Sequence, residues 1–200
     1  MSDYRYNQTR IQFRNENTNN QNGNRFVFEK EFAKRTLANL RFIDEEVAHR
    51  KELGIDDRDI HDVFEVTQLI NSFVGMIILP KESFYRRLRG YSRFLSPEAN
   101  QLLNNLTNDR IKYESTYTFE YNGNTVREQL TPKTLSRHFR NAIAHNNLEI
   151  LPRNYTNEGK VEGFIFRDNN DYGERFKLEL TIDEIRILLE AKCELILSFA

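Results

Sequence analysis

The fold class this sequence predicts is mainly α: a helical bundle with a small β insertion before its last helix. Three observations predict it. Apolar residues recur at helical spacing over two long stretches in the first eighty residues. Helix-opening residue pairs or boxes precede three later segments. Strand-like alternation is confined to about 117–126 and 148–180.

Residues 1–25 are rich in Asn, Gln and Arg and poor in apolar side chains, so they read as a disordered polar arm ahead of a folded domain spanning 26–200. Phe28, Phe32, Leu37, Leu40, Ile43 and Val47 then follow at three- to five-residue intervals and suggest a long first helix ending near Gly54. Asp57 or Asp59 can cap a second helix through Val63, Val66, Leu69, Ile70, Phe73, Val74 and Ile77, which Pro80 stops. Its later turns are apolar nearly all round, the pattern of a helix at the centre of a bundle. Ser96-Pro97 opens another helix, carrying Leu102, Leu103 and Leu106, with proline where its missing N–H costs nothing. Alternation through Tyr117-Thr118-Phe119-Glu120-Tyr121, then Asn122-Gly123, then Thr125-Val126 predicts a hairpin. Thr131-Pro132 opens a helix over 132–147. Val161 to Phe166 and Phe176 to Leu180 read as strands joined by a polar turn. Thr181-Ile182-Asp183-Glu184 is a capping box opening the last helix, with Ile185, Leu188, Leu189 and Ile196 facing inward.

Lys+Arg 29 against Asp+Glu 30 leaves a formal charge of -1, so any contact with nucleic acid must come from a local patch. The one cysteine, Cys193, sits in an apolar run, which excludes intramolecular disulfides and CxxC metal sites and favours a reducing, cytoplasmic setting. The N-terminus lacks the apolar core of a signal peptide. The most apolar stretch, Val63 to Leu79, is interrupted by Glu65, Thr67, Gln68, Asn71 and Ser72 and reads as a core helix, so no membrane role is expected. His49, His61 and His138 lack ligand spacing, and neither a metal nor another cofactor is expected.

On a helical wheel, Leu135, Phe139, Ala142 and Ile143 form one stripe of the helix over 132–147, the side expected to pack on the core. Arg137, Arg140, Asn141, Ala144 and His145 fall on the other side, with His138 at its margin. Asn141 and His145 are four residues apart and stack, while Arg140 can reach over the small Ala144 towards the imidazole. Histidine has an unperturbed pKa of about 6.5 and can give or take a proton near neutrality. Arginine's planar fork matches a phosphate and stays charged. Asparagine can orient the imidazole or donate to a phosphate oxygen. These are the groups that RNA cleavage by the ribose 2′-hydroxyl requires: a base, an acid and a cation for the charge that develops on phosphorus.

The segment Leu135-Ser136-Arg137-His138-Phe139-Arg140-Asn141-Ala142-Ile143-Ala144-His145 resembles the signature helix of HEPN domains, whose pattern is Arg, a polar residue, a few more residues, then His. The run from Phe64 to Gly75 is similar to the second helix of a plasmid- and prophage-borne HEPN group. The resemblance covers roughly residues 28–199, and its specific part is RNxxxH. It implies an up-and-down helical bundle, dimerising so that two motifs face one cleft, and a metal-independent endoribonuclease acting as a toxin or antiviral effector. Carried over by position, His145 is the acid/base, Arg140 the phosphate-stabilising group and Asn141 the supporting polar residue. RNA is the implied substrate, with an antitoxin or regulatory protein as a possible partner. Toxins of this family silenced by tyrosine nucleotidylation carry Tyr two residues after the His, where this chain has Asn147, so that control is not expected.

Two further features invite a role. Arg86, Arg87, Arg89 and Arg93 alternate with Phe84, Tyr85, Tyr91 and Phe94, a mixture suited to single-stranded RNA. Thr67, Asn71 and Gly75 make a small or polar stripe on the second helix, from which Asn71 could support the motif, as could Arg137 and His138. Two other functions fit the same residues: a non-catalytic HEPN module binding RNA, a nucleotide or a protein, and a structural dimer that uses the polar face as its interface.

Overall fold

The computed structural model describes residues 27–54, 66–80, 84, 86, 88–106, 110–113, 118–121, 124–127, 130–152, 161–170 and 173–199. The polar arm at 1–25 and the start of the second helix near Asp57 or Asp59 lie outside them. The elements run α1 (Val27–Glu52), α2 (Val66–Ile78), a 3-10 turn (Leu88–Gly90), α3 (Pro97–Asn105), β1 (Ile111–Tyr113), β2 (Thr118–Tyr121), β3 (Asn124–Arg127), α4 (Pro132–Ala144), β4 (Leu148–Pro152), β5 (Val161–Asn170), β6 (Gly173–Thr181) and α5 (Ile182–Leu197). The protein is mainly helical, with a sheet before its last helix, and none of the described helices is long and apolar enough to cross a membrane.

The helix starts follow their caps. Ser96 Oγ accepts from the Ala99 N–H at 3.2 Å. Thr131 and Thr134 form a reciprocal capping box, as do Thr181 and Glu184, each filling N–H groups that the helix itself cannot. α1 ends beside Gly54, which takes φ 66. It buries only a narrow seam of Glu29, Ala33, Thr36 and Leu40, and Phe42 is 66% exposed. Gly75 lets α1 and α2 approach, since a Cβ there would stand 2.8 Å from the Phe32 ring.

The central helix is α5, not α2 as the apolar pattern suggested. α5 packs against α1, α2, α3 and the β5–β6 strands. Thr67, Asn71 and Ile78 of α2, and Leu79 just after it, remain exposed. Among the described helices α5 has the most neighbouring elements, because the sheet lies against it as well as three helices. Arg186 of α5 grips Asp44 of α1 through Nη2 at 2.5 and 2.6 Å, pinning the two helices along their length.

All strands are antiparallel, and the larger sheet has the order β1-β6-β5-β4. It therefore takes one strand from before α4 and three from after it. β1 has only three residues, too short for a period to be read, and it exists because Ile111 pairs with Leu178 of β6. β2 and β3 form a separate two-stranded hairpin. Phe164, Phe166 and Asp168 point to one face of β5, opposite Leu180, Leu178 and Phe176 of β6. That face packs on α4, where Phe73, Phe139 and Phe166 form a triangle with ring centroids 4.6 to 5.6 Å apart.

A lysine lies inside this core. Lys192 of α5 donates from Nζ to Ser136 Oγ at 2.9 Å, and Ser136 Oγ donates to the Pro132 carbonyl at 2.6 Å. Burial pulls the Lys192 ammonium down to about 7 and pushes the neighbouring Cys193 thiol up to about 12. Above pH 7 the unfolded chain keeps the lysine proton that the folded chain has lost, so stability rises with pH. From pH 9 the unfolded thiol ionises while the folded one does not, which works the other way. Stability is therefore expected to rise by about 2 kcal/mol between pH 7 and 9. Urea unfolding across that range checks it, and Lys192→Met should flatten the slope.

Candidate active site

α4 carries the Arg-Asn-x-x-x-His segment, and both of its ends are fixed. Beyond the Thr131–Thr134 box at the start, its C-terminus closes with a paired arrangement. The Asn147 N–H donates to the Ala142 carbonyl at 2.8 Å and the Asn146 N–H to the Ile143 carbonyl at 3.1 Å. This Schellman ending needs a left-handed residue, and Asn146 supplies it at φ 54, a conformation asparagine tolerates better than most side chains. The Asn147 carbonyl then accepts from the Arg167 N–H at 3.0 Å, tying the end of the helix to β5.

His145 is the last residue in this frame, the C-cap, and it is exposed together with Ala144. Arg140 and Asn141 lie half-buried one turn before it. The helix thus offers an imidazole, a guanidinium and an amide around a small exposed residue. Asn141 donates from Nδ2 to Asp168 Oδ2 at 3.1 Å.

His138 corrects the sequence reading. It is not at the margin of the polar face but fully buried, at 0% exposure. α4 has two covered sides, one against the bundle and one against the sheet, and His138 faces the sheet. Its ring stacks on Phe176 at 4.1 Å and 7°. Its Nδ1 lies 2.8 Å from the same Asp168 Oδ2, and its Nε2 lies 3.3 Å from Arg137 Nη2. A guanidinium only donates, so Nε2 accepts and Nδ1 carries the proton that goes to the carboxylate. Arg137, His138, Asp168 and Asn141 form one continuous chain of hydrogen bonds beneath the exposed residues.

Asp168 was not singled out by the sequence reading. Its signal lay in the alternation of β5, where Phe164, Phe166 and Asp168 share the inward face. A carboxylate in an apolar register is a group that must have partners.

The other candidates are placed less closely. Asn71 is exposed on α2, so water can satisfy it, and among the described residues no hydrogen bond joins it to the motif. Arg86 and Arg93 are exposed, while Arg87 and the side chain of Arg89 lie outside the described residues. The 3-10 turn between them packs on α4. Phe84 and Phe94 are buried, and Tyr91 packs on Phe199 with centroids 5.3 Å apart, so these three aromatics build core rather than a platform for bases. Among the described residues, no three His, Cys, Asp or Glu side chains gather as a metal site would need.

Comparison with known families gives one result. The family model described as HEPN pEK499 p136 matches residues 1–199, nearly the whole chain. No curated protein and no solved structure gives a match. The match spans the motif helix, the sheet that supports it and the bundle around both, and the chain belongs to the HEPN pEK499 p136 family.

Proposed function

We propose that the protein is an endoribonuclease that cleaves RNA by attack of the ribose 2′-hydroxyl without using a metal ion. HEPN domains act as ribonucleases or as nucleotide-binding modules. The observation that carries the first role here is the end of α4. A fixed cap leaves His145 exposed one turn beyond the half-buried Asn141 and Arg140, so a proton-transfer group stands at the rigid end of the helix that also carries a phosphate-binding fork. His145 takes the 2′-hydroxyl proton or protonates the departing 5′ oxygen. Arg140 holds the phosphate as its negative charge grows. Asn141 steadies the imidazole. Because one chain presents a single exposed histidine here, a homodimer supplies both base and acid. A ribonuclease of this kind suits a toxin or an antiviral-defence effector, held in check by an antitoxin or regulatory protein.

Purified protein incubated with RNA in excess EDTA is the test. Cleavage should persist and leave 2′,3′-cyclic phosphate ends. Activity lost on chelation and restored by a divalent ion would overturn the mechanism, as would 3′-hydroxyl ends.

A further inference from the structure

We infer that Asp168 is a positioning residue of the site, acting through Asn141 to set which end of its amide faces the reacting groups. This rests on the ribonuclease reading for its consequence, but not for its geometry. Asp168 Oδ2 receives Nδ2 of Asn141 at 3.1 Å and Nδ1 of His138 at 2.8 Å. Asp168 Oδ2 accepts from both nitrogens, so the Asn141 amide turns its nitrogen inward. Its oxygen is then the atom offered to the exposed side. Of the two roles open to Asn141, this one leaves it an acceptor. It takes an N–H from the His145 imidazole four residues on and so directs the opposite ring nitrogen, as a base, towards the 2′-hydroxyl.

Stability alone does not account for this carboxylate. Asp168 is 4% exposed and continues the inward register of Phe164 and Phe166. Burying a polar cluster is usually no better for stability than apolar residues of the same volume. Yet both hydrogen bonds described for Asp168 end on polar residues of the motif helix. The stack of His138 on Phe176 fixes the ring that makes the second of them, which helps to keep the carboxylate beside Asn141.

Four variants test it, each checked for folding by thermal denaturation. In Asp168→Leu, kcat for an RNA oligonucleotide should fall by about tenfold to a hundredfold with KM within about threefold, the signature of lost orientation. Asp168→Asn keeps an oxygen acceptor and should stay within about fivefold of wild type. Asn141→Asp sets two carboxylates together and should lose about tenfold or more. Adding Asp168→Asn to it restores a donor–acceptor pair in reverse and should recover most of that loss. Wild-type kcat in a folded Asp168→Leu protein overturns the inference. If that variant does not fold, failure of the reversed pair to recover activity overturns it. If wild-type protein cleaves no RNA, the ribonuclease reading fails. The positioning is then read from the Asn141 side-chain amide by NMR: slowed proton exchange supports it, and exchange as fast as in free asparagine overturns it.

Discussion

His145→Ala and Arg140→Ala are each expected to lower RNA cleavage by about two orders of magnitude or more, with the fold intact. His145 is exposed and its part in the helix cap is made by its backbone N–H, which donates to the Asn141 carbonyl at 3.0 Å and survives the change to alanine. Arg140 is half-buried and no part of the apolar core cluster, so its removal deletes no core side chain. The loss in each case is that of a transition-state contact, and kcat should fall more than KM rises. Arg140→Lys keeps the charge without the planar fork and should recover only part of the loss. Single-turnover cleavage of a defined oligonucleotide, beside circular dichroism of each variant, decides the matter. Either alanine variant cutting at the wild-type rate would remove that residue from the site.

The second large effect is recovery of activity by mixing two dead proteins. Transesterification uses a base and an acid, while the exposed end of α4 offers a single histidine per chain. A two-fold axis beside Ala144, which is exposed and small, would set a second copy of this face opposite the first. In a heterodimer of Arg140→Ala with His145→Ala, one intact Arg and one intact His then stand on different chains. Unfolding and refolding the two together should yield activity that neither parent has. No recovery in heterodimers identified by mass spectrometry argues that each chain works alone or that both copies of each residue are needed. Full activity from a monomer at micromolar concentration would refute it outright.

Local chemistry made much of this molecule legible in the sequence. Ser96-Pro97, Thr131-Pro132 and Thr181 with Glu184 open helices where their side chains dictate, because capping is decided within one turn of chain. The Arg140-Asn141-x-x-x-His145 spacing likewise defines one helix face without help from the rest of the fold. What escaped was set by tertiary contact. β1 is a strand only because β6 lies beside it. α5 displaced α2 from the centre because the sheet covers one of its sides. His138 lay within the wheel's uncertainty between two faces, and only the presence of Phe176 against its ring settles that it is interior. Asp168 and Asn141 are 27 residues apart, and no periodicity joins a strand to a helix across that distance.

The sheet that supports α4 also orders the events of synthesis. The helix bearing the motif is synthesised before β5, β6 and α5, and two of its fastenings follow it in the chain: Asp168 after Asn141, and Lys192 fifty-six residues after Ser136. β1 in turn waits for β6 to be made before it has any partner in the larger sheet. Such long-range closures come late in folding, since each must first overcome the entropy of a long loop. A nascent chain or a fragment ending before β5 thus carries the whole Arg-Asn-x-x-x-His sequence on a helix that neither Asp168 nor Lys192 yet holds. The motif is therefore made before the residues that hold it, and its final geometry waits on the strands and the helix that follow.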